Sequence, residues 1–87
     1  VASTYQNKII KEYKSKGWTV LKVIKLSSNG YPDLLCIKNN EVDHWIECKE
    51  INDTLKELQK QRIDELISLG KKAFCLQDTK GVIYPTF

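Results

Sequence analysis

Three side chains define the chemistry open to this sequence: Asp33, Glu47 and Lys49. Asp33 follows the turn-forming stretch Ser27-Ser28-Asn29-Gly30-Tyr31-Pro32 and opens the apolar run Leu34-Leu35-Cys36-Ile37-Lys38. Asn39-Asn40 reads as a tight turn into a second strand, about Val42 to Glu50, which carries Glu47-Cys48-Lys49. Alternate residues of a strand share a face, so Glu47 and Lys49 point the same way. The hairpin brings Asp33 beside them, and two carboxylates and an ammonium converge on one side of a sheet.

Charges are costly to gather in a partly buried place unless something compensates them. Lys49 offsets one carboxylate, and a divalent cation would offset the other. Mg²⁺ takes oxygen ligands and keeps several waters, so one or two carboxylates suffice. The backbone carbonyl of Cys48 lies between the two side chains and could add a third oxygen. With no His or Cys side chain aimed at the group, Mg²⁺ or Mn²⁺ is the expected cofactor. A cation held there lowers the pKa of water and stabilises charge on a phosphate. Lys49 can orient the attacking water or neutralise phosphate oxygens. The competing reading of the same residues is a solvated salt bridge on an exposed strand.

The elements that must position these residues follow from periodicity. Tyr5, Ile9, Ile10 and Tyr13 recur at helical spacing among lysines, and Gly17 ends that helix. Trp18 to Lys25 reads as a strand, followed by the Asp33 and Glu47 strands. A second helix is expected from about Thr54 to Leu69, N-capped by Asp53 or Thr54 and stopped by Gly70. Its apolar stripe is Leu55, Leu58, Arg62, Leu66 and Leu69, widened by Ile63 and Ile67. Gln59 falls on that stripe, where an unpaired amide would be costly; a contact to Lys49 or to a bound phosphate would satisfy it, and a helix-edge amide in water is the alternative. Lys71 to Leu76 and Val82 to Tyr84 read as two final strands. The order αβββαββ predicts an α/β fold, a mixed sheet with helices packed on it.

Composition bounds the rest. The chain has 87 residues, enough for one domain over 1–87, with 14 Lys plus Arg against 11 Asp plus Glu. The resulting +3 suits a polyanion without demanding one. No apolar run approaches the roughly 20 residues needed to cross a bilayer, so no membrane partner is expected. Val1-Ala2-Ser3-Thr4 lacks the pattern of a secretory signal. Cys36, Cys48 and Cys75 form no CxxC pair and each sits in a strand-like run. They read as buried reduced thiols, which points to a cytoplasmic, reducing compartment. His44 falls on the face opposite Glu47 and reads as structural or surface, while Trp45 shares the Glu47 face and reads as core. Lys8, Lys11, Lys14 and Lys16 form either a solvated helix face or a track for phosphates.

The motif Gly30-Tyr31-Pro32-Asp33-Leu34 with Ile46-Glu47-Cys48-Lys49 resembles the PD-(D/E)xK nuclease signature. The extended pattern resembles the virus-type replication-repair nuclease (VRR-NUC) domain, with a GxPDL turn, an ExK strand and a glutamine-bearing helix. Here Leu55-Lys56-Glu57-Leu58-Gln59 matches that helix, and the resemblance runs from about Tyr5 to Gln77. It implies a small restriction-endonuclease-like fold and a Mg²⁺-dependent DNA endonuclease. Asp33, Glu47 and the Cys48 carbonyl would bind metal, Lys49 would be the catalytic lysine, and Gln59 would assist. The family often places a Glu on the first helix. Here Ala2 or Gln6 takes that register and Glu12 fits it poorly; Gln6 could reach a metal-bound water without supplying charge, which implies weaker metal binding or an acidic ligand preceding Val1.

Small stand-alone members are similar to Holliday junction resolvases. The resemblance therefore implies branched DNA as partner, a homodimer, no small-molecule cofactor and phosphate contacts from Lys8, Lys11, Ser28, Lys56 and Arg62. Such a protein would work inside a cell, and a phage gene acting in its host fits. A monomeric nicking or flap-processing nuclease is the alternative enzyme. A catalytically silent nucleic-acid-binding module is the alternative outside enzymes.

Overall fold

A computed structural model describes residues 4–86. Two helices and five strands alternate along the chain: α1 (Thr4–Ser15), β1 (Thr19–Lys22), β2 (Leu34–Ile37), β3 (His44–Lys49), α2 (Glu57–Ser68), β4 (Lys72–Gln77) and β5 (Gly81–Tyr84). The order is the αβββαββ expected from the sequence. The five strands form one sheet in chain order, β1-β2-β3-β4-β5. β3 and β4 run parallel, joined through α2, and the other neighbours are antiparallel.

The two faces of β3 organise the molecule. Its even residues look toward α1, where Tyr5 and Ile9 pack with Leu34, Cys36 and Ile46. Its odd residues look toward α2, where Leu55, Ile63 and Leu66 pack with Ala73 and Cys75, and Trp45 closes the edge. A strand covered on both faces needs near-continuous apolar residues. His44-Trp45-Ile46 meets that demand, and Glu47 and Lys49 then break it on the α2 face.

Several boundaries differ from the sequence expectation, each for a tertiary reason. β1 stops at Lys22 instead of Lys25, because its partner β2 begins only at Leu34. The last backbone bond there runs from Val23 N–H to the Asp33 carbonyl (2.7 Å), and Ile24 beyond it is exposed. The β2–β3 connection is longer than a two-residue turn: pairing ends at Cys36↔His44, and Asn40 takes the left-handed conformation (φ 64°) within it.

α2 begins at Glu57, with Lys56 rather than Asp53 or Thr54 as its N-cap. The Lys56 N–H donates to Gln59 Oε1 at 2.9 Å, half of a capping box. The buried Leu55 lies just before the helix, so the chain must remain extended long enough to plant it.

The α2 stripe also turns relative to expectation. Ile63 and Leu66 face the sheet, whereas Leu58, Ile67 and Leu69 are exposed. Leu58 and Arg62 instead cover the Gly30 loop. A Cβ on Gly30 would lie 2.7 Å from Leu58 Cγ and 3.3 Å from Arg62 Cγ, at φ +88°. Arg62 Nε donates to the Asn29 carbonyl (2.9 Å), its guanidinium stacks 4.8 Å from the Tyr31 ring, and the Tyr31 hydroxyl donates to Glu65. The loop leading to Asp33 is thus clamped under α2.

This packing separates two costs of a side chain at glycine. Gly81 also has positive φ (+73°), but no atom lies within 4 Å of a Cβ there. Gly81→Ala should cost about 1–2 kcal/mol for left-handed strain alone. Gly30→Ala should cost about 1–3 kcal/mol more, the usual range for overpacking. Urea denaturation of both variants measures the difference, and equal losses would show that Leu58 moves aside freely.

Candidate active site

Among the described residues, the buried polar or charged side chains are Glu47 (4% exposed), Lys49 (8%) and Gln77 (4%). All three stand on one face at one end of the sheet. Glu47 and Lys49 share the α2 face of β3 by alternation, and Gln77 of β4 is the register partner of Lys49. This is the C-terminal end of the parallel pair, where open α/β sheets place their ligand crevices.

Asp33 joins them from the other side. Extending the β2–β3 register by one position sets Asp33 opposite Glu47. Its Oδ2 accepts the Cys48 N–H at 3.2 Å. Lys49 Nζ lies 3.9 Å from Glu47 Oε2. The three residues singled out from spacing are therefore neighbours in space.

Glu47 is buried with the half-buried Asp33 beside it, and both conditions disfavour a charge on Glu47. Burial first, then the charge of Asp33 and a hydrogen bond to it, push the Glu47 carboxyl up to about 8, against the opposing pull of Lys49. The thiols are no competitors as ligands. Burial raises Cys36 to about 11 and Cys75 to about 12, and burial with the nearby carboxylates raises Cys48 further. They remain protonated thiols, small hydrophobes in the core.

The donor set fits a hard divalent cation on these grounds. Asp33 and Glu47 supply carboxylate oxygens, and the positive charge would relieve the repulsion that lifts Glu47. No group of three or more His, Cys, Asp and Glu side chains gathers among the described residues. The two carboxylates could therefore hold Mg²⁺ with the Cys48 carbonyl and water, but not a four-ligand zinc site.

Gln59 lies where expected but touches a different partner. Its Oε1 caps Lys56 and its Nε2 reaches Glu47 Oε2 at 3.5 Å, rather than Lys49. Position N3 of a helix is where a capping glutamine acts, so the cap orients the amide that faces Glu47. Sequence reasoning missed Gln77. Its Nε2 donates to the carbonyls of Glu50 (2.9 Å), Ile51 (3.3 Å) and Asp53 (2.7 Å), pinning the β3–α2 loop beside the site. An amide directly after the apolar run Ala73-Phe74-Cys75-Leu76 was the available signal.

The remaining candidates are spread around the sheet. Lys8 and Lys11 are exposed on α1, and Lys56 is exposed at the start of α2, in the opposite layer. Ser28 is exposed in the loop before Gly30. Arg62 is half-buried and engaged with Asn29, Tyr31 and Glu65. Ala2 lies outside the described residues. Gln6 is half-buried on α1. The Tyr13 hydroxyl and His44 Nδ1 are hydrogen-bonded at 2.9 Å, and burial first, then Cys48, Asp78 and Glu12, raise the Tyr5 hydroxyl pKa. The C-terminal half of α1, with Glu12 and Tyr13, therefore lies toward the His44 end of β3. His44 faces α1 within a cluster of Tyr13, Trp18 and Phe74, and burial lowers its pKa. Trp45 packs near Tyr31 and donates to Asp43 Oδ2 at 2.9 Å. No helix among the described residues is long and apolar enough to cross a membrane.

No protein-family model and no curated protein matches the chain. Solved structures do. A VRR_NUC domain superposes with a TM-score of 0.72 at 24% identity, over 82% of this chain and 77% of that one. The Archaeoglobus fulgidus Hjc, a Holliday junction resolvase from an archaeal hyperthermophile, superposes with a TM-score of 0.66 at 15% identity, over 87% of this chain and 67% of that one. The small five-stranded mixed sheet with its two helices is the fold that this chain shares with the VRR_NUC domain and with Hjc.

Proposed function

We propose that this chain is a metal-dependent nuclease that hydrolyses phosphodiester bonds of DNA, with residues 1–87 acting as one nuclease domain. The observation that carries this reading is the convergence of Asp33, Glu47 and Lys49 at one end of the sheet, with Glu47 and Lys49 buried and Asp33 half-buried beside them. A carboxyl perturbed by burial together with a specific charged neighbour is an arrangement that clusters at functional sites. The shared fold with a VRR_NUC domain, and with a protein named as a Holliday junction resolvase, supports DNA and a four-way junction as substrate.

In this reading Asp33, Glu47 and the Cys48 carbonyl hold Mg²⁺ or Mn²⁺. When bound, the cation activates water and stabilises charge on the phosphate. The chain's own groups do the rest. Lys49, 8% exposed and on the Glu47 face, supplies a compact positive charge that is already desolvated before substrate arrives. The Cys48 N–H fixes the Asp33 carboxylate, and Gln59 steadies Glu47. Lys8, Lys11, Ser28 and Lys56 contact phosphates, and Arg62 contributes by holding the loop before Asp33. The active species is a homodimer acting on branched DNA within the cytoplasm. A two-fold pair sets a fixed spacing between scissile phosphates, which a four-way junction can meet.

The direct test is cleavage of labelled four-way junction, duplex, flap and single strand side by side, with Mg²⁺ and with EDTA. Junction cleavage that requires Mg²⁺ or Mn²⁺ and is poorly supported by Ca²⁺ is expected, with a dimer in light scattering. Full activity in EDTA would remove the metal reading. A monomer that cuts junction and duplex alike would leave a general nuclease.

The residue roles separate by calorimetry. Lys49→Ala should lose cleavage by about 100-fold or more, in the range for removing a transition-state donor, while keeping Mn²⁺ affinity. Asp33→Asn and Glu47→Gln should lose Mn²⁺ affinity as well. The reverse pattern would invert the assignment.

The raised Glu47 carboxyl also has a stability signature. Between an ordinary carboxyl pKa near 4.5 and about 8, the folded chain holds a proton that the unfolded chain has released. Its contribution is therefore complete at low pH and is lost as pH rises through about 8. In EDTA, the melting temperature of the wild type should fall from pH 5 to pH 9 more steeply than that of Glu47→Gln. Parallel curves would contradict the raised value.

A further inference from the structure

The β2–β3 ladder ends at an unusual position. Its register runs Cys36↔His44, Leu35↔Trp45 and Leu34↔Ile46. Two further positions along, it sets Pro32 opposite Cys48. Hydrogen bonds fix which way the backbone groups point there. Asp43 C=O accepts from Lys72 N–H (3.2 Å) and Lys49 C=O from Asp78 N–H (2.9 Å), so odd residues of β3 turn their backbone groups toward β4. Even residues, Cys48 among them, turn theirs toward β2. Asp33 C=O accepts from Val23 N–H (2.7 Å) and so faces β1, which turns position 32 toward β3.

The paired ladder itself stops at Leu34↔Ile46 and the chain bends at Asp33; were the register continued, Pro32 and Cys48 would form a hydrogen-bonded position in which residue 32 donates its N–H to the Cys48 carbonyl. Proline has no N–H to donate. The other half of the pair is diverted too, since the Cys48 N–H goes to Asp33 Oδ2 at 3.2 Å. Pro32 is fully buried.

We propose that Pro32 is a positioning residue that keeps the Cys48 carbonyl out of the sheet ladder, so that it can serve as an oxygen ligand to a divalent cation beside Asp33 and Glu47. This rests on the metal-dependent reading above and assigns a role to the backbone of the motif rather than to its charged side chains. Any other residue at position 32 restores a donor that competes with the cation for the same oxygen.

The test uses Mn²⁺ binding by calorimetry on three full-length chains: wild type, Pro32→Ala, and a synthetic chain with lactic acid in place of Pro32. The lactic acid chain carries the alanine methyl but an ester oxygen in place of the N–H. Pro32→Ala should bind Mn²⁺ about 10-fold or more weakly, the scale of losses when a ligand's supporting contacts change. The lactic acid chain should recover most of the wild-type affinity, and the amide that Pro32→Ala introduces should be protected from hydrogen exchange. Equal losses in both variants would assign the effect to the ring and overturn the inference, as would Pro32→Ala binding like wild type.

A second measurement needs no variant and decides the matter if Pro32→Ala fails to fold. With cysteine labelled by ¹³C at the carbonyl, three resonances report Cys36, Cys48 and Cys75. Mg²⁺ should shift the Cys48 resonance most. A wild type that binds Mn²⁺ and Mg²⁺ with an unmoved Cys48 carbonyl would overturn this inference alone, whereas a wild type that binds neither would overturn the metal-dependent reading with it.

Discussion

Everything in this molecule is arranged around the placing of two carboxylates and one ammonium at the buried end of β3. Glu47 and Lys49 sit where an apolar side chain would otherwise continue the face of Trp45, Ala73 and Cys75. Burial first, and the charge of Asp33 second, raise the Glu47 carboxyl to about 8, and the attraction of Lys49 at 3.9 Å only partly opposes them. Such a cluster persists only if the surrounding structure holds it against repulsion and desolvation. The two hydrophobic layers, one under α1 and one under α2, supply that restraint by gripping β3 from both sides.

The supporting contacts divide into three groups. Pro32 and the clamped Gly30 loop bring Asp33 to the end of β2, with Leu58, Arg62 and Tyr31 closing over the loop. Gln77 pins the chain that leaves β3, and Gln59 turns one amide into both a helix cap and a contact to Glu47. Each joins segments far apart in sequence, so disturbing any of them moves a charged group relative to its neighbours. A displacement on the scale of 1 Å can cost about 100-fold in rate where groups act by position. That sensitivity explains why α2 devotes two stripes to packing: Ile63 and Leu66 to the sheet, Leu58 and Arg62 to the loop.

How much could be read without coordinates depends on the range of the interaction. The element order and the shared face of Glu47 and Lys49 follow from period-2 and period-3.6 patterns, which are local properties of the backbone. The meeting of Asp33 with that pair also followed, because a hairpin is a local structure. The expected stripe of α2 was rotated, because Leu58 and Arg62 are drawn to the Gly30 loop, a partner far along the chain that no helical periodicity reveals. The N-cap moved from Asp53 or Thr54 to Lys56, because the buried Leu55 and the Gln77 amide dictate where the chain can begin to coil.

The sequence by itself determined the chemistry on offer: two carboxylates and a lysine at spacings that a hairpin must bring together, three thiols suited only to packing, and a proline with no N–H just before the first carboxylate. Residue type and alternation suffice for that, because donor chemistry and side-chain direction are intrinsic to each residue. Only the tertiary structure decided the state of those groups. Burial by α2, the parallel seating of β4 and the hold of Gln77 on the following loop exclude water from Glu47 and bring Asp33 against it. The raised carboxyl is a property of that enclosure and of the closeness of its neighbours, which arise from contacts between distant segments rather than from any local pattern.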